Sequence, residues 1–172
     1  FTEPMMAQIK ELTDEAWQTP FSSRVDSVTN YQHTWAEEDD LVVEDLILEL
    51  DSINPASVKR TREISTVEPN LVNSLVSPDG KVAVVNITIQ LPDQENNTAE
   101  VIQVTEFAKQ LTDSFAAKYQ SADFYHTGVI LMNYSFATEG QKDMSTLVPG
   151  MFLIIILMLT LLLRSITGML MT

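Results

Sequence analysis

The sequence predicts an α+β domain followed by one transmembrane α-helix, and three observations carry that class. Leu147 to Leu163 reads LVPGMFLIIILMLTLLL, seventeen residues without a charge. Val101, Val104, Ala108, Leu111, Phe115 and Tyr119 recur at helical spacing, opposite Gln103, Glu106, Lys109, Gln110 and Asp113. Val85, Ile87, Ile89 and Leu91 alternate with Asn86, Thr88 and Gln90, the pattern of a strand covered on one face.

From the N-terminus, Thr2 is placed to cap a first helix with Pro4 in its opening turn. Met5, Ile9, Leu12 and Ala16 form its stripe, Trp17 lies at its end, and Pro20 stops it. Arg24 to Tyr31 (RVDSVTNY) is rich in Val, Thr and Tyr and predicts a strand. Glu37 to Asp51 is a dense acidic stretch with Leu41, Val42, Val43, Leu46, Ile47, Leu48 and Leu50 interleaved; it reads as a solvated loop or helix face. It lacks the alternating Asp/Asn spacing with a central Gly that wraps calcium. Asn54-Pro55 starts a second helix, running through Val58 and Ile64 to a stop near Pro69. Leu71–Val76 and Lys81–Leu91 flank Ser77-Pro78-Asp79-Gly80, where Pro fixes φ and Gly accepts φ > 0, and so predict a hairpin. Pro92 to Asn97 is a polar loop, and Asn97 with Glu100 makes a capping pair for the helix of the second observation. Asp123 to Thr127 reads as a last strand, ended by Gly128.

The order helix, strand, hairpin, helix, strand becomes β-α-β-β-α-β once a strand is restored before Phe1. That is a ferredoxin-like (split βαβ) sandwich, with helices on one sheet face and Asn86, Thr88 and Gln90 turned to solvent or a neighbour. Residues 129–146 contain no strong breaker except Gly140 and predict a helix that continues into the membrane. The organisation is therefore an extracytoplasmic α+β domain over 1–130, a connecting helix over 131–146 and a membrane helix over 147–166. Residues 167–172 would begin a cytoplasmic loop or the next membrane segment.

At 1.5 Å per residue the apolar run covers roughly 25 Å of a hydrocarbon core about 30 Å thick. Extension to Thr146 and Ile166 closes most of the gap, with Arg164 snorkelling to the headgroups. Pro149 is accommodated if it lies in the opening turn of the span. A secretory signal belongs at the other end of a chain and has a shorter apolar core. Residues 1–146 hold nine basic and all 24 acidic residues, a net charge of −15, and Arg164 is the only charge beyond them. Arg164 places the C-terminal side in the cytoplasm and the acidic domain outside. So acidic a domain repels nucleic acid and anionic lipid headgroups, which argues against DNA or RNA partners. Cys is absent, so no disulfide framework, thiolate nucleophile or Cys-ligated metal is expected. The chain opens without an initiator Met and stops eight residues after Arg164, which reads as a piece of a longer polytopic protein.

Several motifs together resemble the resistance-nodulation-division (RND) superfamily of exporters, in the branch of mycobacterial large membrane proteins and hydrophobe exporters. They are Val25-Asp26-Ser27-Val28-Thr29-Asn30, Leu75-Val76-Ser77-Pro78-Asp79-Gly80-Lys81, Thr127-Gly128, Asp143 ahead of Leu147-Val148-Pro149, and Leu163-Arg164-Ser165 with Gly168. The resemblance spans nearly the whole chain. It implies the first porter subdomain and second membrane helix of a proton-driven exporter of hydrophobic or lipid-like substrates in the inner membrane. The implied partners are the bilayer, the substrate, the rest of the same chain with a second porter domain, and a possible second copy. The family's proton-relay acids sit on a later membrane helix, so none is expected on this chain.

Other constellations carry less. His33 and His126 have no matching ligand set for zinc. Ser, His and Asp occur without a G-x-S-x-G elbow, so neither catalytic residues nor a cofactor are assigned. Asn86-Ile-Thr88, Asn96-Asn-Thr98 and Asn133-Tyr-Ser135 are short glycosylation patterns that matter only in a eukaryotic secretory setting. Lys59, Arg60 and Arg62 form the one basic cluster, a surface helix face or an inter-domain salt bridge. The alternative to an exporter is a membrane-anchored sensor or assembly domain that transports nothing.

Overall fold

The structure, a computed structural model, describes residues 1–37, 40–92 and 97–163. They fall into two units, Phe1–His126 and Thr127–Thr172. The first is α+β, with two small sheets; the described residues of the second hold a single long helix.

Helix α1 (Glu3–Ala16) starts where expected: the Thr2 hydroxyl accepts from the Met5 N–H, 3.4 Å away. Strand β1 (Ser22–Asp26) pairs antiparallel with β4 (Asn86–Ile89), Val25 opposite Ile87 and Asp26 opposite Asn86. The strand expected over 24–31 thus ends at Asp26. Beyond it the side chain of Asn30 replaces the ladder, accepting from the Ser27 N–H and donating to the Val25 carbonyl, both at 2.7 Å. Short polar side chains offer the backbone a local alternative to a sheet, and here the alternative wins.

The acidic stretch is not a loop or helix face. Strands β2 (Gln32–Glu37) and β3 (Asp40–Asp45) form an antiparallel hairpin, followed by a short 3-10 helix over Leu50–Ser52. Acidic side chains are compatible with a two-stranded ribbon because much of its surface is open to water: on β3 Asp40 and Glu44 are exposed, and only Asp45 is half-buried. After β3 the chain enters the core: Leu46 and Ile47 are buried, and their N–H groups donate to the carbonyls of Tyr31 and Thr29. Helix α2 (Pro55–Ser65) is capped by Asn54, whose Oδ1 accepts from the N–H groups of Ala56 and Ser57 at 3.0 Å.

The hairpin expected from 71–76 and 81–91 shrinks to a single bridge between Val76 and Ala83, and β4 takes β1 as its partner instead. Leu71, Leu75 and Val76 are buried, a spacing of four that coils the segment into the core. The Leu75 N–H returns to the Leu71 carbonyl at 2.8 Å, and Asn73 adopts φ +62°. Helix α3 (Thr98–Lys118) buries the expected Val101, Val104, Leu111 and Phe115. Its capping pair does not form: the Asn97 side chain makes no cap bond, and residues 93–96 of the preceding polar loop lie outside the described residues. Asp123–Thr127 is not a strand, since no described strand lies beside it to complete a ladder. Phe124 instead packs edge-on against Phe115, ring centres 6.4 Å apart.

Two apolar clusters hold this unit. Met6, Ile9, Val28, Leu46, Val58, Leu71, Leu75 and Val76 join α1 to α2 and the coiled segment. Ala16, Val25, Leu111 and Phe115, with Leu12 and Ile87 beside them, pack α1 and α3 on one face of the β1–β4 pair. That arrangement is the helix-covered sheet anticipated from the alternation in β4, at two described strands rather than four. Two separate two-stranded sheets stand where a ferredoxin-like sandwich was expected, and among the described residues no four-stranded sheet forms.

Helix α4 (Val129–Leu163) runs for 35 residues, about 52 Å. Pro149 lies inside it rather than in an opening turn. The chain is already helical from Val129, so the missing Pro149 N–H withdraws a bond from the Ser145 carbonyl.

Candidate functional site

The features that bear on function are the apolar part of α4 and the polar contacts that set the shape of the first unit. Val129–Leu162 is long and apolar enough to cross a bilayer. Leu147, Phe152, Leu153, Ile154, Leu161 and Leu162 are all more than half exposed, and apolar side chains cover every face of the helix. Helices that are apolar all round belong in a core or in lipid. The one hydroxyl in the run, Thr160, donates to the Ile156 carbonyl at 2.7 Å, which satisfies it without water. The polar half precedes it, with Glu139 and Lys142 paired at 3.5 Å and Asp143 exposed.

In the first unit one carboxylate ties the helices together. Glu11 Oε2 on α1 accepts from Lys118 Nζ at 2.6 Å and from the Tyr119 hydroxyl at 2.5 Å. The Lys118 ammonium, and after it the Tyr119 hydroxyl, hold the Glu11 carboxyl below its ordinary range. The carboxylate in turn pushes Lys118 up to about 12. Beneath α1 lies a buried hydroxyl chain: Thr13 donates to the Ile9 carbonyl at 2.6 Å, and its oxygen lies 2.9 Å from Ser27 Oγ, which lies 2.8 Å from Thr29 Oγ1. The motif Val25–Asn30 is thus a structural device. Its apolar residues enter the two clusters, and its polar ones knit α1 to the end of β1.

Ser77–Gly80 is a second such device. Ser77 Oγ donates to Asp79 at 2.7 Å and accepts from the N–H groups of Lys81 and Val82, and the Gly80 N–H closes the turn on the Ser77 carbonyl at 2.8 Å. The Ser77 hydroxyl, then the Lys81 N–H, lower the pKa of Asp79. Gly80 has φ +68°, and a Cβ there would come within 2.9 Å of the Phe1 ring. Across the hairpin, the Arg60 guanidinium lies 4.4 Å from the Trp35 ring centre, and His33 stacks on Trp35 at 5.8 Å and 21°. Asp45, at the end of β3, has its carboxyl pushed up by burial.

Asp79 and Gly80 therefore belong to a turn in the first unit. Leu147, Asp143 and Pro149 lie on α4, and Gly128 precedes it at φ +131°. Leu163 is the last residue of α4; Arg164, Ser165 and Gly168 lie outside the described residues. Sequence reasoning missed the Glu11 clasp and the Arg60–Trp35–His33 stack. Neither leaves a local signal, because the clasp spans 107 positions and the stack joins two elements with no shared pattern. Among the described residues no group of three His or acidic side chains is placed to hold a metal ion.

Residues 3–172 match the model of the MMPL family. No curated protein and no solved structure matches the chain.

Proposed function

The chain belongs to the MMPL family, and from that premise we propose that it is one piece of a polytopic, proton-driven exporter of hydrophobic or lipid-like substrates. The observation that carries the reading is α4, whose apolar half is long enough for a bilayer and whose polar half is continuous with it. In this reading residues 1–130 are the first porter subdomain, outside the inner membrane, and 131–146 the connection. Residues 147–166 are the second membrane helix, running from Leu147 through Leu163 with Arg164 at the cytoplasmic headgroups, and 167–172 lead onward. Asp79, Gly80, Gly128, Asp143, Pro149, Arg164 and Ser165 would act by shaping the turn, the junction and the span. No proton relay is assigned to this chain; its membrane run contains no Asp, Glu, Lys or His.

The porter assignment also supplies a reason for the small sheet. Among the described residues β4 pairs with β1 alone, so one edge of β4 is open, and 123–127 lies unpaired beside α3 through Phe124 and Phe115. An open edge of this kind is where a further strand of a split βαβ sheet would pair.

Two measurements test the proposal. Reconstituted in vesicles, the parent protein should move a lipid probe only under a proton gradient; transport insensitive to a protonophore, or none, refutes it. The segment has no native Cys, so Asp113→Cys should react with an impermeant maleimide from outside while Ser165→Cys reacts only after permeabilisation. The reverse labelling refutes the orientation.

A further inference from the structure

We propose that the outer edge of β3 takes an extended segment of a partner protein as a third strand, one in which basic and apolar residues alternate. Among the described residues only β2 pairs with β3, so the edge turned away from β2 presents its ladder N–H and C=O groups to solvent. The pairing runs without a bulge from Gln32 opposite Asp45 to Glu37 opposite Asp40, and β3 contains no Pro, Gly or Lys to blunt that edge. Such an edge is a template for strand addition, in which main-chain bonds supply affinity and alternate side chains supply specificity.

The two faces of the ribbon differ. Trp35 and Val42 lie opposite each other and are half-buried, with the Arg60 guanidinium over the indole. On the other face Thr34 lies opposite Val43 and Ala36 opposite Leu41. All four are exposed, Leu41 by 71 % and Val43 by 51 %, although a two-stranded ribbon gains most of its stability from cover on an apolar face. A strand beside β3 sets every second side chain next to Leu41 and Val43, and the intervening ones next to Asp40, Val42 and Glu44. Asp40 and Glu44 are exposed, and among the described residues neither has an ion-pair partner.

Charge decides the occupant. Residues 32–45 contain six acidic side chains and no Lys or Arg. A second copy of the ribbon would bring like charges edge to edge, and anionic headgroups are repelled in the same way. A strand with Lys or Arg at alternate positions meets Asp40 and Glu44 with opposite charge on one face. Its apolar residues cover Leu41 and Val43 on the other. This recognition belongs to the first unit and holds whether or not the chain is a piece of an exporter.

The test titrates the parent protein in neutral nanodiscs calorimetrically with three capped peptides, empty discs subtracted. They are Lys-Val-Lys-Val-Lys-Val-Lys, the same residues in blocks as Lys-Lys-Lys-Lys-Val-Val-Val, and the first peptide with Glu in place of Lys. The alternating Lys peptide should bind most tightly. Leu41→Thr/Val43→Thr keeps strand preference and removes apolar cover, and should weaken that binding by about fivefold. Asp40→Lys/Glu44→Lys should transfer the preference to the Glu peptide, a gain that misfolding does not produce. Block and alternating peptides binding equally, unchanged affinity in the Thr variant, or no transfer of preference in the Lys variant overturns the inference. Self-association of the parent protein that the Thr variant abolishes would put a second copy on this edge, and overturns it too.

Discussion

Lys118 Nζ lies 2.6 Å from Glu11 Oε2, so one carboxylate on the first helix of the domain holds the last turn of the third. The Tyr119 hydroxyl shares that oxygen. The contact closes α1 and α3 over the cluster of Ala16, Val25, Leu111 and Phe115. Both partners are partly solvated, with side-chain exposures of 26 % and 55 %, so its worth is modest and its pH dependence more telling than its size.

Glu11→Gln should lower Tm by roughly 2–4 °C near neutral pH. The folded-state pKa of Glu11 is lowered, so its contribution is complete above the unfolded carboxylate pKa and fades as pH falls through the folded value. Lys118 is raised to about 12, so its share is complete below the ordinary lysine range and fades as pH climbs through about 12. Urea midpoints followed by tryptophan fluorescence should therefore show a shallower acid limb in the variant. Superimposable acid limbs in wild type and Glu11→Gln would show that the clasp contributes nothing.

Gly80→Ala should destabilise by about 1–2 kcal/mol, because a Cβ at φ +68° is strained and also meets the Phe1 ring. Moving that ring relieves the contact at the expense of its packing on the Met6 cluster. Adding Phe1→Ala to Gly80→Ala should thus cost less than the sum of the two single changes. Strict additivity in a double-mutant cycle would mean that ring and turn do not touch in solution.

Asn30→Ala strips a partner from the Ser27 N–H and the Val25 carbonyl at once, and should cost about 2–3 kcal/mol. Asn30→Asp keeps the acceptor for the Ser27 N–H but turns a carboxylate oxygen on the Val25 carbonyl, so near neutral pH it should be no more stable than Ala. Chemical denaturation orders the three, and an Asp variant as stable as wild type would show that the bond to the Val25 carbonyl is not the one that matters.

Asn30 also shows why the sequence was legible in some places and opaque in others. α1, α2 and α3 were readable because cap, stripe and stop are written locally: Thr2 before Met5 and Ile9, Asn54-Pro55 before Val58, Val101 through Phe115. Val25 to Asn30 looks equally like a strand, since nothing local says that Asn30 will fold back on Val25. The acidic stretch was opaque for the opposite reason. Its charges suggest a solvated loop, and the alternation of Leu41 and Val43 with Val42 only acquires meaning once Trp35 and Arg60, distant in sequence, pin the ribbon. β4 was recognised as a strand but given the wrong partner, because its register with β1 is decided by a cluster shared with α1 and α3. Of the candidate site, the apolar run declares itself, whereas the length of α4 places Pro149 in its interior.

That length bears on mechanism. At about 52 Å, α4 exceeds a hydrocarbon core of about 30 Å, so its polar half must project beyond the lipid. In the proposed exporter a continuous helix would carry a displacement of the outer domain to the bilayer, which a flexible joint would not. A Gly-Ser segment inserted at Gly140 breaks the hydrogen-bond ladder outside the apolar run, so it should abolish export and leave expression and insertion intact. Gly140→Ala is the opposing change: a Cβ there meets nothing within 4 Å, and Ala favours the helix by about 1 kcal/mol. It should leave export unchanged or improve it. Membrane levels by blotting and transport in vesicles separate the outcomes, and undiminished export from the Gly-Ser variant would mean that α4 is a tether and that coupling runs through another part of the protein.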